Sequence, residues 1–199
     1  MKGTSTMSKI YVWDLPTRLF HWSLVLLVAF QWLSGELKDE LLEFHVLGGY
    51  AILALVAFRV LWGFAGSRHS RFSDFLCAIG PTLEYARLLR AHAAPRYLGH
   101  NPLGAWMIVA LLATLALQGI TGLFASDEVV GGGPLRHIVS DQLGEVLTEI
   151  HKGSFNVLIT LVVAHVASIV AHRLFKGEDL VRPMLTGYKE SDTEASKKQ

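Results

Sequence analysis

The chain has 199 residues, 51% hydrophobic and only 18% charged, with a net charge of +1 and a mean hydropathy of +0.38. A soluble domain carries about 25% charge, so the composition argues against a soluble enzyme, against disorder and against a nucleic-acid partner. Cys77 is the single cysteine, which excludes an internal disulfide and a thiolate metal cluster.

The first predicted helix, about 16–36, opens on Asp14-Leu15-Pro16 and covers residues 19–35, which lack Asp, Glu, Lys and Arg. Asp and Pro are favoured at a helix head. Its length and its exit, Leu33-Ser-Gly-Glu-Leu37, do not fit a cleaved signal peptide. The second helix, about 42–64, contains the charge-free run 44–58 and reaches spanning length only by continuing through Arg59. In residues 65–100, Leu83, Ala86, Leu88 and Leu89 alternate with Glu84, Arg87 and Arg90. That pattern fits a helix on the membrane surface or one in solvent, and both readings stay open. The third helix, about 102–125, begins with Asn101 as N-cap and Pro102 at the first turn. Its patch of Gln118, Gly119, Thr121 and Gly122 reads as close helix packing. An irregular loop with Gly131-Gly-Gly-Pro134 leads to the fourth helix, about 145–175. The polar tail beyond Tyr188 reads as disordered, giving one domain over 1–190 and a tail over 191–199.

The long runs do not alternate with period two, so β-structure is not expected in them. The predicted fold class is all-α integral membrane: a bundle of four transmembrane helices. All of the 18 Lys and Arg except Lys38, Arg136 and Lys152 fall toward the termini or in the loop between helices two and three and its flanks. The positive-inside rule then puts both termini in the cytoplasm.

Four histidines fall on the predicted spans: His21, His45, His151 and His165. A single one is usually a helix–helix hydrogen-bond partner, but four ionisable side chains in lipid point to function. His151 and His165 are 14 residues apart, which turns a helix by only ~40° and advances it ~21 Å. They share a face at two depths. His45 matches the depth of His151 toward the outer side, and His21 matches His165 toward the inner side. Two pairs of opposed imidazoles on facing helices suit two bis-histidine haems, held without covalent links because C-x-x-C-H is absent. Gly48 and Gly49 after His45 allow close approach of a ring, or of another helix. Arg59, 14 residues after His45, and Arg18, one turn before His21, are candidates to pair with haem propionates; each also reads as a snorkelling residue. His172, seven residues after His165, is the competing inner ligand. His69, His92, His100 and His137 read as surface residues, His100 being set apart by its place at the head of the third helix.

Four segments carry a likeness to a known family. They are Tyr11-Val-Trp-Asp-Leu-Pro-Thr-Arg-Leu-Phe-His21-Trp22, His45-Val-Leu-Gly-Gly49, Arg96-Tyr-Leu-Gly-His-Asn-Pro-Leu-Gly-Ala-Trp106, and the stretch from Glu149-Ile-His151 through Ala164-His165 to Gly187. Over about residues 9–190 the chain resembles the bacterial cytochrome b-561 family, which includes the b-type cytochrome subunit of nickel–iron hydrogenases. The resemblance implies a multi-pass protein of the bacterial inner membrane with two non-covalent b haems. It implies electron exchange between a redox partner protein and the quinone pool, and it carries haem ligation over to His21, His45, His151 and His165. Members differ in partner: a hydrogenase, another dehydrogenase or a c-type cytochrome. A homodimer is compatible with the sequence and not required by it. Whether the chain counts as an enzyme depends on whether quinone chemistry occurs on it. A histidine-based ion transporter and a cofactor-free membrane anchor are the competing readings. The transporter is weakened by the absence of mid-depth carboxylates in the spans.

Overall fold

The computed structural model describes residues 7–127 and 131–192. Their helices are α1 (Leu15–Glu36), α2 (Lys38–Ala65), α3 (Phe72–Phe75), α4 (Ile79–Arg90), α5 (Pro102–Gly122), α6 (Asp141–Lys176) and α7 (Val181–Thr186). Three contain stretches long and apolar enough to cross a membrane: Glu40–Ala65, Pro102–Gly122 and Asp141–Lys176. α1 has the length, at 22 residues, but Arg18, His21 and Gln31 dilute its apolar content. Two two-stranded sheets, β1 (Met7–Tyr11) with β4 (Tyr188–Asp192) and β2 (Ser126–Asp127) with β3 (Gly131–Gly132), modify the all-α expectation. Both lie outside the long helices, where polar backbone can find partners in water or in each other.

The chain divides into two compact units. The first comprises Met1–Leu19, Trp62–Trp106 and Ala167–Gln199. Here β1 pairs antiparallel with β4, Tyr11 opposite Tyr188, and the two rings meet at a tilt of 60°, 5.2 Å between centroids. β4 thus carries the chain beyond Tyr188 to Asp192; residues 193–199, the rest of the tail read as disordered, lie outside the described residues. Gly187 makes the junction. It ends α7 at φ +88°, and its carbonyl accepts the Val12 and Trp13 N–H groups. A Cβ there would lie 2.8 Å from the Tyr11 ring and 2.9 Å from the Trp13 carbonyl oxygen. The tail is also held by the Lys189–Glu178 ion pair, 3.0 Å with both side chains largely buried, and by Lys189 Nζ donating to the Tyr97 carbonyl at 2.6 Å.

Asp14 caps α1 as the sequence suggests, and does more. Its Oδ1 accepts the Thr17 N–H at 2.8 Å; its Oδ2 accepts Ser70 Oγ–H at 3.0 Å and Trp62 Nε1–H at 3.1 Å. Burial would raise this carboxyl, but donors from the Ser67–Ser70 pair, Thr17 and Trp62 outweigh it and hold Asp14 well below the usual carboxylate range. A depressed carboxylate stabilises the fold above its ordinary pKa, and that contribution is lost as pH falls through and below that range. Asp14→Ala loses the cap and strands two buried donors, at about 2 kcal/mol. It is expected to lower Tm by roughly 4–8 °C in detergent at neutral pH, with the gap to wild type narrowing on acidification.

Asn101 caps α5 as expected, its Oδ1 accepting the Gly104 N–H at 2.8 Å. α4 forms within the 65–100 segment. It buries Thr82 and Tyr85 and leaves Ile79 and Leu83 two-thirds exposed.

The second unit comprises Phe20–Leu61 and Met107–Val166. Its outward surface is apolar: Leu26, Phe44, Leu61 and Val163 are all more than half exposed, the reverse of a water-soluble domain. Inside, Gly119 packs under Leu53, where a Cβ would come within 2.6 Å. That bears out the small-residue packing read from α5. Arg136 crosses Gly144 to pair with Asp141 at 2.8 Å, pinning the loop to the head of α6.

Candidate cofactor site

A cavity of about 360 Å³ opens inside the second unit. Val28, Ile52, Leu115, Phe155 and Leu158 give it apolar walls, and His45 and His151 face it from α2 and α6. The two ring centroids are 6.4 Å apart and the planes nearly perpendicular, at 82°. An ion about 2 Å from one nitrogen of each imidazole separates such centroids by roughly 6 Å, so the pair is spaced to hold one metal atom between them.

The hydrogen bonds say which nitrogens are free for this. His151 Nδ1 lies 2.9 Å from the Gln118 carbonyl oxygen. A carbonyl only accepts, so Nδ1 carries the proton and Nε2 is bare. The Gln118 amide N–H is directed at that bare Nε2, at 3.3 Å, while Gln118 Oε1 accepts the Ser154 hydroxyl. His45 Nδ1 lies 3.0 Å from Ser34 Oγ, and the Gln31 carbonyl is placed to accept the Ser34 hydroxyl hydrogen at 3.3 Å. Gln31 Nε2 also donates to the His45 carbonyl at 3.0 Å, tying α1 to α2. Gly122 faces the His151 ring, and a Cβ there would stand 2.9 Å from Cε1.

The other predicted pair, His21 and His165, falls within the same unit, and His21 Nδ1 is buried without a hydrogen-bond partner among the described residues. The His21 ring packs edge-on against Trp22 at 5.1 Å. Arg59 is only 3% exposed, so its side chain is enclosed by protein rather than laid along the outside of the helix. Arg18 lies in the first unit, where Nη1 donates to the Leu185 carbonyl at 2.5 Å and Nε is buried without a hydrogen-bond partner among the described residues.

His172 has both ring nitrogens engaged, Nδ1 with the Ser168 carbonyl at 2.8 Å and Nε2 with Asn101 Nδ2 at 3.4 Å. His100 is not a surface residue: it is sandwiched between Trp13 and Phe75, at 4.5 and 4.7 Å between centroids. His69 pairs with Asp74 at 3.1 Å, and His92 and His137 are exposed. Among the described residues no group of three His, Cys, Asp or Glu converges to chelate an ion directly.

Sequence reasoning missed the residues around the histidines. Ser34, Gln31 and Ser154 carry no mark in the sequence reading, and Gln118 and Thr121 read there as packing. The available signal was polarity inside charge-free runs.

The family model described as prokaryotic cytochrome b561 matches residues 12–187. Among curated proteins, the chain is similar to one from Bradyrhizobium diazoefficiens, named a probable Ni/Fe-hydrogenase B-type cytochrome subunit. The two are 24% identical over 89% of this chain and 85% of that protein. Identically named proteins from Azotobacter vinelandii (26%, covering 90% and 88%) and Rhodobacter capsulatus (22%, covering 92% and 82%) are also similar. No solved structure matches the chain significantly.

Proposed function

The chain belongs to the prokaryotic cytochrome b561 family, and from that membership we propose a di-haem cytochrome that passes electrons between a redox partner protein and the membrane quinone pool. Members of this family are multi-pass membrane b-type cytochromes of electron transport, with haem b as cofactor. The proposed protein has four spans, α1 completing the three apolar helices, both termini cytoplasmic and the inner membrane as location. Lys and Arg placement supports this orientation.

The observation that carries the proposal is the His45–His151 pair, 6.4 Å between centroids across an apolar cavity, with both Nδ1 atoms already engaged. His45 and His151 would hold the outer haem through Nε2. His21 and His165 would hold the inner one, a role supported by the orphaned nitrogen of His21. When bound, haem supplies a one-electron iron couple whose potential its surroundings tune. The chain does the rest. Ser34 and the Gln118 carbonyl fix the ring tautomers and orientations. The apolar walls keep water off the ligating nitrogens. The enclosed Arg59 supplies a positive charge for a propionate of the inner haem, and Arg18 is a second candidate.

The names of the relatives support a hydrogenase as partner; another dehydrogenase or a c-type cytochrome would meet the same electron-transfer requirement. The test is a visible spectrum and haem content of the purified protein. A reducible b-type spectrum with about two haems per chain by pyridine haemochrome is expected. A value near one in fully loaded protein rules out the second pair, and no haem at all rules out the cytochrome reading in favour of an anchor.

A further inference from the structure

Ser34 is completely buried, at 0% exposure. A hydroxyl sealed into a long helix usually turns back on its own backbone, and part of Ser34 does so, toward the Gln31 carbonyl at 3.3 Å. What sets it apart is the other contact, 3.0 Å to His45 Nδ1 on the next helix. With its hydrogen sent to the carbonyl, Ser34 Oγ is an acceptor, and His45 Nδ1–H is the donor that meets it. The two histidines of the pair are thus fixed differently. The acceptor for His151 is a backbone carbonyl, which no substitution removes. The acceptor for His45 is a side chain.

We propose that Ser34 is a positioning residue that holds His45 in the Nδ1–H tautomer and sets the electron donation of its Nε2 to the metal atom it shares with His151. This rests on the di-haem reading above. A hydrogen bond from Nδ1–H makes the imidazole a more basic ligand and favours the oxidised iron. Losing the acceptor raises the potential of that one centre. It also leaves the ring free to rotate and lets the Nε2–H tautomer compete with ligation.

The experiment compares wild type, Ser34→Ala and Ser34→Thr, each purified with haem. Ser34→Ala is expected to shift one of two midpoint potentials upward, leave the other in place, and loosen one haem by about tenfold. Ser34→Thr, which keeps the hydroxyl, returns the potential toward wild type. A Ser34→Ala protein with two haems at unchanged potentials overturns the proposal and leaves the di-haem reading standing; wild type without haem overturns that reading instead. Should Ser34→Ala fail to fold, ¹⁵N NMR of histidine-labelled, haem-free wild type decides: Nδ1–H at His45 supports the assignment, and Nε2–H overturns it.

Discussion

His151→Ala is expected to halve the haem content, from about two per chain to about one, and to erase one of two redox potentials. In the proposed site His45 and His151 would be the protein's two ligands to the iron, so removing either would open a coordination position in a cavity with no substitute. No third His, Cys, Asp or Glu stands with His45 and His151 among the described residues. Gln118 approaches His151 Nε2 as a donor, and its carboxamide is a poor replacement for imidazole. His45→Ala gives the same outcome, and the double variant loses no more haem than either single one, because both residues serve one centre. The haem-dependent share of stability goes as well, about 2.7 kcal/mol where free haem stands a hundredfold above its Kd. Retention of two haems by His151→Ala, measured by pyridine haemochrome and redox titration, would sink the pairing of His45 with His151.

The second large effect separates two histidines on α6. Seven residues turn a helix by only ~20° net, so His165 and His172 share a face. Depth separates them weakly. His172 lies ~31 Å along the helix from His151, against ~21 Å for His165 and a hydrocarbon core of ~30 Å. Their surroundings separate them better. His172 belongs to the first unit, where its Nε2 meets Asn101, the cap of α5. His165 sits among Val163, Ala164, Val166 and Ala167, in the same unit as His21. His165→Ala is therefore expected to lose the inner haem and keep the outer one, while His172→Ala keeps both with only a modest loss of stability. The opposite pattern, two haems in His165→Ala and one in His172→Ala, refutes the assignment.

The legible part of this molecule was whatever depends on one helix at a time. Charge-free runs marked α1, α2, α5 and α6 to within a few residues, and Asn101-Pro102 marked the start of α5. A spacing of 14 residues put His151 and His165 on one face. What stayed hidden depends on which helices meet. Ser34 is one more small residue near the end of α1 until α2 brings His45 beside it. Thr121 bonds its own helix at Leu117 and Gln118, as buried threonines do, and only the arrival of His151 gives it a partner on another helix, at 3.4 Å. The strand Tyr188–Asp192 carries Lys189, Glu190, Ser191 and Asp192, and nothing in so polar a stretch announces pairing. Its partner β1 lies at the opposite end of the chain.

The pairing of Met7 with Asp192 also fixes an order of events during biosynthesis. β1 must wait until β4 has been made. At about 5–20 residues per second, that wait is roughly 10–40 s. In that interval every membrane helix has left the ribosome, whereas the edge of β1 stands open to any other extended chain. Its five residues make a short template, and Lys9 discourages stacking with a second copy. Closure of the Tyr11–Tyr188 end therefore reports that translation has passed Tyr188, and a chain stopped before that residue would carry the sequence of α1 through α7 with its first described strand unfastened.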